Sequence, residues 1–110
     1  MTASVRSHRP VVHTPRADIL TDDSSLTIVV DLPGVRPEDL HVQLERGILF
    51  LDGTERTSEG AVRARHRRAI ALQRQVDPDG ISATLEHGVL TLQLPRNAGD
   101  RPRTIPVIGS

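Results

Sequence analysis

The feature that most constrains the fold of this chain is the alternating pattern between residues 83 and 94. Leu90, Leu92 and Leu94 alternate with polar residues directly after the dipeptide His87-Gly88. Residues spaced by two share one face of a β-strand. A glycine in a two-residue connection allows the backbone geometry of a tight hairpin. The stretch therefore predicts two strands, a turn at His87-Gly88 and one buried face.

The same period of two recurs along the rest of the chain, punctuated by turn residues such as Pro33-Gly34 and Arg46-Gly47. Only a single turn near Pro37 to Leu40 has helical character. The pattern predicts an all-β fold, an antiparallel β-sandwich of two sheets with seven or eight strands, immunoglobulin-like in architecture. The strand candidates are Ala17 to Leu20, Leu26 to Asp31, Leu40 to Glu45, Ile48 to Asp52, Arg67 to Gln75, Ile81 to Glu86 and Val89 to Gln93.

Composition limits what such a domain can do. The 110 residues suffice for one core, which must be aliphatic because Phe50 is the only aromatic residue. Fourteen basic and fourteen acidic residues cancel, so no overall field attracts nucleic acid or anionic lipid. Cysteine is absent, which excludes disulfide and thiolate chemistry.

The two ends of the chain differ from its centre. Residues 1–15 are polar and hold too little apolar surface to order themselves, which predicts a flexible N-terminal arm before a domain at 16–95. Residues 96–110 predict a flexible C-terminal extension that carries one apolar hook, Ile105-Pro106-Val107. In the hook the two outer side chains point the same way, and Pro106 keeps the segment extended.

Several motifs, in order, resemble the small heat-shock protein family, whose members share the α-crystallin domain. The family signature is matched by Ala83, Gly88, Val89 and Leu90. Asp31-Leu32-Pro33-Gly34-Val35 is similar to the loop after the family's second core strand, and Leu51 to Arg56 is similar to its hydrophobic, glycine, polar, Glu, Arg run. The resemblance covers residues 15–107 and implies an α-crystallin-type sandwich.

The resemblance also implies a role for the hook in oligomerisation. In the family, a similar segment docks in a groove between the strands matching Leu40 to Glu45 and Ile81 to Glu86, usually on another dimer. An open alternative is that Ile105 to Ile108 forms a last strand on its own domain. The groove residues implied in this chain are Val42, Leu44, Ile81, Ala83 and Leu85.

The basic segment Val62 to Arg68 has two interpretations. Clustered arginines can bind phosphates, but the neutral total and the lack of neighbouring aromatic residues disfavour nucleic acid. By resemblance, the segment belongs to a dimer interface in which arginines pair with carboxylates, although Thr54 to Arg65 is shorter than in members that exchange a strand. The region 54–75 shows no obvious one-face alternation. The implied dimer-interface residues are Arg63, Arg65, Arg67 and Arg68.

No catalytic, metal or cofactor site is predicted. The five histidines lack helix-face metal spacing, and the chain has no Gly-rich Lys-Ser/Thr phosphate loop because it contains no lysine. No apolar run approaches the roughly 20 residues of a membrane span, and the first 12 residues lack the apolar centre of a secretion signal. We therefore expect a cytoplasmic protein that is not an enzyme.

The resemblance implies an ATP-independent holding chaperone, which binds partly unfolded client proteins and prevents their aggregation. Such a protein would self-associate as a dimer and as larger oligomers. One alternative is a structural or co-chaperone adaptor that binds a single defined protein partner. A second is a nucleic-acid binder that uses Arg63 to Arg68.

Overall fold

A computed structural model describes residues 10–72, 76–95 and 103–109 and places them in a two-sheet sandwich. The all-β prediction is confirmed, with ten strands in the described residues instead of seven or eight, because short segments at both ends add strands. The strands are β1 (Val11–His13), β2 (Ala17–Thr21), β3 (Ser25–Asp31), β4 (Val35–Glu45), β5 (Ile48–Arg56), β6 (Val62–Ala71), β7 (Ser82–Glu86), β8 (Val89–Pro95), β9 (Arg103–Ile105) and β10 (Ile108–Gly109).

The two sheets have five strands each. The first has the order β1-β6-β5-β4-β9, and the second has the order β10-β7-β8-β3-β2. The long neighbours pair antiparallel, whereas the terminal strands β1 and β10 pair parallel with β6 and β7. Three of the four sheet edges are therefore formed by short strands from the ends of the chain.

The core lies between the sheets and is aliphatic, as predicted from the composition. Alternate residues of β3, β4, β7 and β8 point inward, in the period-two pattern of one-face burial. The most deeply buried side chains are those of Ile28, Val30, Leu32, Val42, Leu49, Leu85, Leu90, Leu92 and Leu94.

Two tight turns follow the sequence prediction. His87 and Gly88 have φ values of 52° and 76°, and Arg46 and Gly47 have φ values of 53° and 76°. Two successive positive φ values are typical of a type I′ hairpin turn. A 3-10 turn at Pro78–Gly80 precedes β7, and the Asp77 side chain accepts a hydrogen bond there from the Asp79 amide.

Asp22 shapes the turn between β2 and β3. Its Oδ1 accepts hydrogen bonds from the amides of Ser24 at 2.8 Å and Ser25 at 2.7 Å. These bonds, the Ser24 one foremost, favour the charged carboxylate and lower the pKa of Asp22. The stabilisation is present above the ordinary pKa of the carboxyl group and is lost as the pH falls through the lowered folded value.

The predicted helical turn near Pro37 to Leu40 is wrong, because these residues continue β4. The register of β4 against β5 shifts between Val35 and Leu40. Both side chains are buried, although residues five apart would point to opposite faces of a regular strand. The irregularity lets both enter the core.

The strand predicted at Arg67 to Gln75 lies earlier, at Val62–Ala71, and residues 73–75 lie outside the described residues. Contrary to the expectation from the sequence, inward and outward residues alternate along this strand. Ala64, His66 and Ile70 are buried, and Arg68 between His66 and Ile70 is half-buried. A hydrophobicity pattern does not show this alternation, because two of the four inward positions carry polar side chains.

Candidate functional site: the tail-docking groove

The C-terminal tail lies across the open edge between the two sheets. β9 pairs antiparallel with β4, with Ile105 opposite Val42. β10 pairs parallel with β7, with Ile108 opposite Thr84 and Gly109 opposite Leu85. We call this edge, with β4 on one side and β7 on the other, the tail-docking groove.

Ile105 is the most deeply inserted side chain of the tail. It is 4% exposed and belongs to the hydrophobic core. Val107 is half-buried and packs against the same core, while Pro106 between them faces solvent. The tail thus places alternate apolar residues in the groove and adds backbone pairing on both sheets.

The structure places the sequence-predicted groove residues around this edge. Val42, Leu44, Ala83 and Leu85 are buried in the core, and Ile81, just before β7, is half-buried against it. In the single chain described, the tail in the groove is the chain's own. The segment that joins it to β8, residues 96–102, lies outside the described residues.

Sequence reasoning missed the pairing of Ile108–Gly109 with β7. Two residues are too few for a periodic signal, and Ile108 is 73% exposed, so its hydrophobicity does not mark burial. The strand β10 can be recognised only from its pairing with β7.

The signature residues have structural roles. Ala83 and Leu90 are buried in the core, whereas Val89 is on the outer face. The carbonyl oxygen of Gly88 accepts a hydrogen bond from the Leu32 amide at 2.7 Å. A side chain at position 88 would come within 3.2 Å of the Pro33 Cα atom. The signature glycine therefore joins the β7-β8 turn to the Leu32-Pro33-Gly34 loop.

The predicted interface arginines lie on both faces of β6. Arg63, Arg65 and Arg67 are exposed. The Arg67 guanidinium pairs with Asp52 at 3.3 Å, and that of Arg63 lies 3.8 Å from Glu55. These carboxylates, both on β5 of the same chain, reduce the positive potential of the segment.

Arg68, in contrast, points inward and holds the N-terminal segment. Its Nη1 donates a hydrogen bond to the carbonyl oxygen of Pro15 at 3.0 Å, and Pro15 is buried. The Nε atom of Arg68 is buried without a hydrogen-bond partner.

The segment next to Pro15 was predicted as part of the arm, and the structure places Val11–His13 as β1 on the edge of β6. The His13 ring stacks on the buried His66 ring, with centroids 5.2 Å apart and planes at 26°. The Nε2 atom of His66 lies 3.2 Å from Glu55 Oε1. Residues 1–9 lie outside the described residues.

Between β5 and β6 the chain forms a local hairpin. Thr54 pairs with Arg65 and Glu55 with Ala64, and a register shift follows before Arg56. The segment between Thr54 and Arg65 is thus paired within the chain.

Among the described residues, no group of three or more His, Asp or Glu side chains could hold a metal ion. None of their helical segments has the length and hydrophobicity to cross a membrane.

Comparisons with known proteins agree with this arrangement. Residues 18–108 match the model of the Hsp20/alpha crystallin family. A probable 15 kDa heat shock protein of Leptospira interrogans is 33% identical over 99 residues, which cover 83% of this chain and 76% of that protein. A 17.9 kDa class II heat shock protein of Helianthus annuus is 34% identical, with coverage of 96% and 74%.

Solved structures show the same fold. A small heat-shock protein from Xylella fastidiosa, whose structure is described as having a distinct high order structure, superposes with a TM-score of 0.66 at 33% identity, covering 82% of this chain and 92% of that one. Heat shock protein 16.0 from Schizosaccharomyces pombe also gives a TM-score of 0.66, at 27% identity, covering 80% and 91%.

Proposed function

The chain belongs to the Hsp20/alpha crystallin family, and from that premise we propose that it is an ATP-independent holding chaperone, which binds partly unfolded proteins and keeps them from aggregating. The observation that carries the proposal is the insertion of Ile105 into the groove between β4 and β7. A groove that a short tail covers can be uncovered without unfolding the sandwich.

The energy of the tail suits reversible closure. A fully buried aliphatic side chain contributes about 1.5 to 3 kcal/mol, and Val107 is only half-buried. Ordering the tail costs free energy in return. The net stabilisation from one tail is therefore small, so the groove opens readily and offers its apolar lining to a client.

Further apolar side chains are exposed at the sheet edges, where an unfolded segment could add as a strand. Unfolded clients expose apolar side chains and unpaired backbone groups, and both are satisfied by pairing along such an edge. The large exposed hydrophobic residues at the edges are Val11, Val12, Ile19, Leu20 and Ile108.

We assign the protein no cofactor and no catalytic step, and we place it in the cytoplasm. Client binding depends on apolar contact and backbone pairing alone, so nucleotide should not alter it.

We expect the protein to suppress heat-induced aggregation of unrelated clients at near-stoichiometric ratios, with no ATP or added metal. Light scattering of three unrelated clients at their aggregation temperatures measures this. Serum albumin at equal mass serves as the control for crowding. Scattering unchanged by a molar excess for every client would refute the chaperone proposal, and suppression for one client only would favour a dedicated adaptor.

We also propose that the smallest stable unit is a dimer, with Arg63, Arg65, Arg67 and Arg68 at or near its interface, and that tails dock in the grooves of neighbouring subunits in larger oligomers. Exposed arginines on β6 can pair with carboxylates of a second subunit, as Arg67 does with Asp52 in its own chain.

Reversal of two of these charges should weaken the dimer. In the variant Arg65→Glu with Arg67→Glu, like charges would face the carboxylates of the partner, so we expect the dimer dissociation constant to rise at least about tenfold. Sedimentation across a concentration series measures it.

The variant Arg16→Glu with Arg36→Glu makes the same change in net charge at exposed positions outside β6 and serves as the control. Equal effects of the two variants, or a wild-type protein that is monomeric at micromolar concentration, would contradict this interface.

A further inference from the structure

The tail makes a second contact beyond the Ile105-Pro106-Val107 hook. After the hook, Ile108–Gly109 pairs parallel with β7. The Ile108 side chain is 73% exposed and contributes little packing. Gly109, in contrast, lies against the groove wall, with the Leu85 backbone on one side and the Pro37 ring on the other.

A side chain does not fit at position 109. A Cβ atom there would collide with the Leu85 carbonyl oxygen and would lie 2.8 Å from the Cγ atom of Pro37. Neither neighbour gives way easily, because Leu85 is in a core strand and the proline ring is rigid. Gly109 is not among the glycines with positive φ, so space and not backbone conformation requires glycine here.

We propose that Gly109 is a specificity-determining residue for tail docking and that the Leu85 carbonyl and the Pro37 ring form a notch that accepts only glycine. The docking segment is then Ile105–Gly109, not the three-residue hook alone. This inference rests on the proposed docking of tails in the groove, and it holds whether the tail belongs to the same subunit or to a second copy of the chain.

The notch fixes the register of the tail. The Ile105 side chain fills the groove on the β4 side, and four residues later Gly109 lies opposite Leu85 of β7. A shift by one residue would bring Ile108 to the notch, where its branched side chain cannot fit. A tail from a related protein with a larger residue four positions after its first hook residue would be rejected, so the groove favours tails of this chain in a mixed population.

The direction in which Gly109→Ala changes docking distinguishes a steric notch from a chain end that has free space around it. At an unhindered position, Gly→Ala reduces the freedom of the undocked tail and so strengthens docking slightly. At the notch, the same substitution must displace the strand. Gly109→Ala should therefore weaken docking, while Ile108→Ala, at the exposed neighbouring position, should leave it unchanged.

Hydrogen exchange of the peptide spanning residues 103–109, measured by mass spectrometry on the full chain, reports docking directly. We expect the Gly109→Ala variant to lose at least about tenfold in amide protection, as a typical destabilising substitution would cause. Ile108→Ala should match the wild type. Protection in Gly109→Ala equal to or above that of the wild type would overturn the inference.

The outcome is separable from that of the proposed function. Exchange measures whether the tail is docked, and client aggregation measures whether the protein is a chaperone. Loss of protection in Gly109→Ala together with no suppression of aggregation by the wild type would support the notch and refute the chaperone. Suppression of aggregation by the wild type, together with undiminished amide protection in Gly109→Ala, would support the chaperone and refute the notch.

Discussion

Replacing Ile105 and Val107 together by alanine should convert larger assemblies to dimers. The two substitutions remove the apolar side chains that the tail inserts into the groove, including the nearly fully buried Ile105. Several weak tails linked through dimers reinforce one another, so the loss of assembly should be steeper than the energy of one tail implies. Size-exclusion chromatography with light scattering measures the mass.

The unfolding midpoint of the domain should move little in this variant, because the net contribution of one tail is small after its ordering cost. The matched control is Ile48→Ala with Val89→Ala, which removes the same two residue types from partly exposed outer positions. Two results would contradict neighbour docking: an unchanged assembly, or a large drop in the stability of the dimer itself. The second would make Ile105 part of an intramolecular strand only.

Gly88→Ala should destabilise the sandwich, both through backbone strain and through contact with the Leu32-Pro33 loop. Gly88 has a φ of 76°, and a Cβ atom there would lie 3.2 Å from Pro33 Cα and 3.4 Å from the Leu32 carbonyl oxygen. A left-handed residue other than glycine costs about 1–2 kcal/mol. Displacing the loop backbone adds about 1–3 kcal/mol. We expect the free energy of unfolding to fall by about 2–5 kcal/mol in total, measured by urea denaturation.

Gly60→Ala separates the two causes. Gly60 has a φ of 92°, but nothing lies within 4 Å of a Cβ atom built there. Its substitution should cost only the conformational part, about 1–2 kcal/mol. Equal losses in the two variants would mean that contact between Gly88 and the Leu32-Pro33 loop does not contribute to stability.

The central strands could be predicted from the sequence because their buried residues are aliphatic and evenly spaced. The spacing of Leu26, Ile28 and Val30, and that of Leu90, Leu92 and Leu94, predicts β3 and β8, which are neighbouring inner strands of one sheet. The tight turn between β7 and β8 followed from a glycine in a two-residue connection.

The strand β6 and residues 37–40 of β4 could not be predicted in the same way. In β6 the side chains of His66 and Arg68 point toward the interior. His66 contacts Glu55 there, and Arg68 donates a hydrogen bond to the Pro15 carbonyl oxygen. A hydrophobicity pattern does not indicate such buried polar contacts. The extended course of residues 37–40 depends on the irregularity in β4, which tertiary packing imposes.

For the candidate groove, the hook residue Ile105 stood out as an isolated apolar side chain in a polar tail, and the family resemblance supplied its place between two strands. The notch at Gly109 could not be foreseen, because the clash that requires glycine involves the backbone of Leu85, a residue 24 positions earlier in the chain. The segment Ile108–Gly109 is also too short to carry a periodic signal.

Holding of unfolding clients without nucleotide can be measured on a client that is heated together with the protein in nucleotide-free buffer and then analysed by size-exclusion chromatography with light scattering. We expect a soluble complex that contains both proteins and a client that remains out of the pellet. A client that pellets while the protein elutes alone at its unheated mass would contradict this expectation.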